Sequence, residues 1–241
     1  MKKPTVNLLP CPESLSKGTR TFLTYILFIL TLAEGFSYAA EGLGIKASKI
    51  PLPLLIKLPC YMPSGVLTLC LTLCTTYVYI YVVKGMQTFY MPYKKLWIAY
   101  LSLICLSALL SLLPMADVVE SVEFILELSA GIVYIVLGYR IRKSYSGKIS
   151  MLGTAMMWSI IVGVMVLVFV AFYLGAFSEL SYWDRMDARK SAFWMVSIPL
   201  VLVNLIGLWP VMVSFALFEK GEAEEYIEPG DLPEAYGQPE A

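Results

Sequence analysis

Glu120, Glu123 and Glu127 are followed by Gly131, Tyr134 and Gly138 at intervals of three and four residues, so all six share one face of a helix. The other faces of the segment are built from Ile, Leu and Val. An ionised carboxylate facing acyl chains costs several kcal/mol, so the stripe is expected to look into a bundle or into water. Glu34 is a second acid inside an apolar run, with Thr31 and Tyr38 about one turn to either side. Counted along their helices, Glu34 and Glu127 fall at similar depths. If those helices are neighbours the two acids form a carboxylate pair, which binds a cation or holds a proton because close like charges cannot both ionise cheaply. Thr31 and Tyr38 then supply hydroxyl ligands, and Tyr134 shares the face of Glu127. Asn204 adds an amide near the middle of a run that also carries Pro199, Gly207 and Pro210, a pattern that predicts a kinked or locally unwound helix of the kind that lines transporter sites. Glu34, Glu127, Asn204, Thr31, Tyr38 and Tyr134 are therefore the candidate ion or substrate ligands. A Glu near a helix end also reaches headgroups or a neighbouring backbone with no transport role, and Glu120 and Glu123 read best that way.

These residues need long apolar elements to hold them. The chain has 241 residues, 59% of them hydrophobic and 15% charged, with a mean hydropathy of +0.73. Soluble domains average roughly 45–50% apolar and about 25% charged. Six apolar runs stand out, at 21–40, 61–83, 96–115, 122–139, 151–176 and 193–218. Each is near the length that crosses a hydrocarbon core of about 30 Å at 1.5 Å per residue. The expected fold is an all-α polytopic bundle of about six spans. The third and fourth runs are joined by a few residues after Pro114, which predicts a tight helical hairpin. In the second run Ser64, Thr68, Thr72, Thr75 and Tyr79 form a hydroxyl stripe, which suits close helix contact or the polar lining of a pathway. Ala155, Ser159 and Gly163, together with Gly131 and Gly138, are small residues of the type that lets membrane helices approach closely.

Twelve Lys and Arg lie on one side of this scheme: Lys2, Lys3, Lys17, Arg20, Lys84, Lys94, Lys95, Arg140, Arg142, Lys143, Lys148 and Lys220. Six lie on the other, and the short third loop has acids but no cation. The cytoplasmic bias of cations predicts both termini inside a plasma (inner) membrane. A cleaved signal peptide fits the first run poorly, because about twenty residues precede its apolar core and Glu34 sits just before the small-residue site.

Three segments fall outside the runs after the N-terminal residues 1–20. The loop 41–60 is apolar but broken by Pro51, Pro53 and Pro59, so an interfacial or partly re-entrant segment is expected. The loop 179–190 is charged, with Tyr182, Trp183 and Trp194 as an aromatic belt. The tail 219–241 holds eight acids against one lysine and is expected to be disordered.

The chain has no histidine, which removes His-based acid–base catalysis and His-ligated metal sites together. The cysteines have no metal-like or disulfide-like spacing and read as small apolar residues. No phosphate-binding loop, dinucleotide fingerprint, metalloprotease helix or serine elbow occurs, and no cofactor, metal or nucleic-acid partner is expected. A non-enzymatic structural or assembly subunit of a membrane complex, or a homo-oligomer in the bilayer, accounts for the short loops and small-residue faces with least invention. The alternative is a small-solute or cation transporter or channel component that uses Glu34, Glu127 and the sixth run. The two separate on one point: a transporter has a cavity reaching its polar residues, whereas a scaffold seals them.

Overall fold

The structure, a computed structural model, describes residues 3, 5–9, 15–46, 52–88, 93–113, 117–178 and 182–218; for 88, 117, 120, 177, 178 and 182–191 only the backbone is described. Among these every long element is a helix: α1 (Lys17–Gly42), α2 (Leu54–Lys57), α3 (Ser64–Thr88), α4 (Lys94–Leu110), α5 (Asp117–Ser144), α6 (Lys148–Ser178) and α7 (Tyr182–Leu217), with a 3-10 turn at Pro59–Tyr61. The acidic tail lies outside the described residues. Five helices, α1, α3, α5, α6 and α7, are long and apolar enough to cross a membrane. The run expected at 96–115 yields α4 of 17 residues, about 26 Å at the standard rise. It stops short because the residue before a proline resists helical backbone, and Pro114 follows Leu113 in the sequence.

Each long helix packs against its sequence neighbours, and α1 closes the ring against α7, with α3 also touching α7. Sequence neighbours, and the α1–α7 pair, run antiparallel, while α3 and α7 run parallel. Tyr100 and Ser107 of α4 meet Tyr134 and Glu127 of α5. Gly138 and Gly131 of α5 meet Gly153 and Ile160 of α6. Arg20 and Glu34 of α1 meet Phe215 and Asn204 of α7.

In lipid the hydrophobic effect does little to drive helices together, so close contact rests on shape and on small residues. A Cβ built on Gly138 would stand 2.7 Å from the Gly153 carbonyl oxygen, and one on Gly35 would stand 3.0 Å from the Val201 backbone. Gly131 and Gly163 are looser, at 4.0 Å from Ile160 and 3.7 Å from Val203. Ala155 and Ser159 are buried.

Two expectations are corrected. Most of the segment expected as a loop at 179–190 is helical: the backbone is helical from Tyr182 onward, residues 179–181 lie outside the described residues, and α7 spans 36 residues, about 54 Å. Between Tyr182 and Ile198 the sequence holds no glycine or proline, so the helix continues where apolarity ends. The side chains of Tyr182 and Trp183 lie outside the description, and Trp194 is exposed. Nor is α7 unwound at Pro199 and Pro210, which lie inside an unbroken helix; each removes one N–H bond and crowds the carbonyl four residues back, which bends a helix without ending it.

The N-terminal residues do more than precede α1. They cross one end of the bundle, here the near end, as an extended strap. The Val6 N–H bonds the Ser146 carbonyl at 3.0 Å, the Ile149 N–H bonds the Val6 carbonyl at 3.1 Å, and the Leu9 N–H bonds the Leu217 carbonyl at 2.7 Å. Asn7 Oδ1 accepts from the Lys148 N–H at 3.2 Å, capping the start of α6. Leu9 packs on Gly85 of α3, and Val6, Leu9 and Leu15 are buried. The anchor is the α5–α6 turn, where Gly147 holds φ +83° against Asn7. A side chain there costs about 1–2 kcal/mol from backbone alone and also meets Asn7. Gly147→Ala is expected to release the strap, seen as faster proteolysis within residues 3–9 while the helices stay protected; unchanged cleavage would show that the strap does not depend on this turn.

At the far end α1 stops at Gly42 and the chain turns at Gly44, φ +63°, with the Ile45 N–H returning to the Ala40 carbonyl at 2.8 Å. Beyond it α2 and the 3-10 turn lie on α1. Cys60 is buried there, its thiol 3.6 Å from the Ala33 carbonyl, and burial pushes that thiol up from its ordinary pKa. Leu54, Leu55 and Leu58 stay exposed, the arrangement of an interfacial segment.

Candidate functional site

The ring of helices brings Glu34 and Asn204 together, two residues 170 positions apart. Glu34 points inward from the middle of α1 and is 7% exposed. Its Oε1 accepts from the Thr68 hydroxyl of α3 at 2.9 Å, and its Oε2 accepts from Asn204 Nδ2 of α7 at 3.3 Å. Thr68 has one proton and gives it to Glu34. The Tyr38 hydroxyl, 3.2 Å from Thr68 Oγ1, is therefore the donor in that contact. A chain of hydrogen bonds runs Tyr38, Thr68, Glu34, Asn204, joining three helices. Gly35 makes it possible, because its close approach to Val201 sets α7 against α1 one residue from the acid.

Glu34 and Asn204 open onto a cavity of about 380 Å³. All six long helices line it, with Leu71, Thr72 and Thr75 from α3, Ser159 and Gly163 from α6 and Gly207 from α7 among the walls. No Lys or Arg is among the lining residues, and apolar side chains make up most of the wall. A cluster of rings closes it toward the near end. The Tyr79 and Tyr134 hydroxyls are 2.6 Å apart. Tyr100 lies on Tyr134 with centroids 4.5 Å apart, and Trp97 lies against Tyr79 at 5.3 Å. Thr68 and Tyr79 are eleven residues apart on α3, so the acid and the rings are separated by about 16 Å along the axis. Tyr79→Phe is expected to cost about 0.5–1.5 kcal/mol of stability by leaving the buried Tyr134 hydroxyl with one partner fewer. Thermal unfolding of the two single Phe variants and the double variant checks it, since the pair is coupled only if the double variant costs less than the two singles together.

The other candidates are dispersed. Glu127 makes no hydrogen bond to Glu34, since α1 lies chiefly against α3 and α7 and α5 chiefly against α4 and α6, yet its charge is near enough to act on Glu34. Glu127 Oε1 instead accepts from Ser107 of α4 at 3.3 Å, and its side chain remains exposed and outside the cavity lining. The stripe on α5 thus turns inward only in its second half, at Tyr134 and Gly138. The Glu120 side chain lies outside the description. Thr31 is fully buried, and its hydroxyl finds no partner among the described residues. Thr68, which holds Glu34 in place, was visible only as one member of the hydroxyl stripe of the second run, and Thr72, Thr75 and Tyr79 of that stripe also line the cavity.

No group of three His, Cys, Asp or Glu able to hold a metal ion occurs among the described residues. The free cysteines Cys60, Cys70, Cys74 and Cys105 lie on or beside the helices. Fold and composition together define an integral membrane protein of the all-α, multi-pass class. Compared with known proteins, the chain matches no family model, no curated protein and no solved structure.

Proposed function

We propose that the chain is a non-enzymatic small-solute transporter or channel component that takes a cation into the cavity beside Glu34. The observation that carries this reading is a carboxylate at the wall of a cavity walled by six helices, with only neutral partners. An ionised carboxylate inside a bundle costs several kcal/mol unless a positive charge meets it. Thr68 and Asn204 orient the group without neutralising it. The balancing charge is a proton or a cation that enters the cavity, and an acid that exchanges the two is a working part of a carrier. The volume falls within the roughly 300–1,000 Å³ of small-ligand sites. A scaffold that only seals its polar residues against neighbouring helices leaves this cavity unexplained.

The basic residues support an inside orientation for the near end in a plasma (inner) membrane. Lys3, Lys17, Arg20, Lys84, Lys94, Arg142 and Lys148 flank the helix ends that meet at the strap, and short-loop cations favour the cytoplasm.

The test is reconstitution in proteoliposomes with uptake of sodium, potassium and tetramethylammonium measured in turn. Uptake of at least one above protein-free vesicles, and its loss on occlusion of the cavity by Gly207→Leu, is the expected result. The absence of uptake for all three, with a stoichiometric partner recovered on mild-detergent purification, would favour a structural subunit instead.

A further inference from the structure

We propose that the cavity takes an amphipathic organic cation, with its charged head at Glu34 and its apolar body along the groove toward the tyrosine rings, entering from the membrane between α5 and α6. This rests on the reading of the cavity as a cation site and names the class of ligand. Three observations carry it.

The walls are wrong for a bare metal ion. Beyond Glu34 and Asn204 the groove runs past Leu71, Ile104, Ile160, Val203 and Leu208 to Tyr100 and Tyr134. An inorganic ion wants several oxygens around it, whereas here the lining hydroxyls of Thr75 and Ser159 are turned onto their own helix backbones, and a carboxylate, an amide and a long apolar wall suit an ammonium head on a hydrocarbon or aromatic body. The two tyrosine rings at the far reach of the groove add faces on which an aromatic body can stack.

The groove also has room for such a body. Gly207, an exposed residue that lines the cavity between the acid and the rings, leaves this stretch of the wall open, since a Cβ built on it meets nothing within 4 Å.

Access points to the bilayer. The α5–α6 contact is tight at Gly138 and Gly153 and loosens at Gly131 and Ile160. Val164 and Leu167 lie beyond that point; both line the cavity, yet they are 55% and 51% exposed. By the antiparallel register, eleven residues on from the Gly138–Gly153 contact place Val164 level with Glu127. Glu127 shares this depth but bonds Ser107 of α4, so the opening is marked by the exposed Val164 and Leu167 of α6 alone.

The experiment uses the full chain in lipid nanodiscs and two water-soluble probes that share one head group, tetramethylammonium and (4-phenylbutyl)trimethylammonium. Binding is measured by equilibrium dialysis, with Glu34→Gln in identical discs as the correction for partition into lipid. The phenylbutyl probe is expected to bind at least tenfold more tightly than tetramethylammonium, and Gly207→Leu is expected to remove that advantage. Equal affinity of the two probes, both dependent on Glu34, would overturn the ligand class while leaving a small-cation site in place. Failure of both probes to bind in a Glu34-dependent way would overturn the ligand class and the cation reading together.

Discussion

Glu34→Gln is expected to lower cation binding by the purified protein at least tenfold while leaving its thermal stability unchanged or raised. The two halves of this result come from one geometry. The carboxylate is nearly buried and hydrogen-bonded only to neutral groups, so it contributes an uncompensated charge to the empty protein. Gln has almost the same shape and removes that charge. It cannot reproduce both contacts as they stand, because its amide nitrogen donates where the carboxylate accepted. Thr68 can turn its hydroxyl to accept, at a cost of about 1 kcal/mol or less, which is small beside the relief of a buried charge. Binding and stability are thus expected to move in opposite directions. A purely structural Glu34 would lose stability on substitution and leave cation binding, measured on the folded fraction, unaltered. Asn204→Ala should weaken binding less, since it removes one orienting donor and leaves the charge.

Gly65→Ala is expected to be the most damaging single-methyl change in the bundle, and Gly207→Ala among the most harmless. A Cβ on Gly65 would overlap the carbonyl of Ser111, where α3 crosses the end of α4. The obstacle is backbone, which cannot rotate away, so the helices must separate. Overpacking of this kind costs about 1–3 kcal/mol. Gly207 faces open space, and a methyl there improves helix propensity by up to about 1 kcal/mol. Thermal unfolding of both variants in the same detergent gives the comparison. A fall in Tm for Gly65→Ala with none for Gly207→Ala is expected, and equal falls would contradict the cavity beside Gly207.

The helices themselves were legible because membrane spans are set by apolar length, which a single sequence carries. Their ends were less so. The first turns of α7 are charged and yet helical, since polarity ends a span but only glycine, proline or a cap ends a helix. The strap was invisible for a different reason: residues 5–9 have no periodicity, and their fit depends on Gly147 and Leu217, which lie far away in the chain.

The candidate site divides the same way. Glu34 and Asn204 stood out singly because a carboxylate and an amide inside apolar runs are costly wherever they point. Their pairing is a property of ring closure, and nothing local in α1 or α7 records which helix each will face. Depth alone matched Glu34 with Glu127, and depth is blind to azimuth: α1 and α5 are not packed neighbours. Thr68 was hidden among hydroxyls that suit packing and lining equally. Gly163, read as a packing residue, has room to spare against Val203 and lies at the cavity wall.

The account depends above all on a cavity that solutes reach. The direct measurement is a cysteine at Gly207 in a chain whose native cysteines are replaced by alanine, exposed in proteoliposomes to a small cationic thiol reagent such as 2-aminoethyl methanethiosulfonate. Rapid labelling that slows when Glu34 is replaced by Gln is predicted, because the carboxylate draws the cationic reagent inward. A cysteine at Gly207 that stays unlabelled, or that reacts at the same rate with and without Glu34, would contradict a cation-accepting cavity.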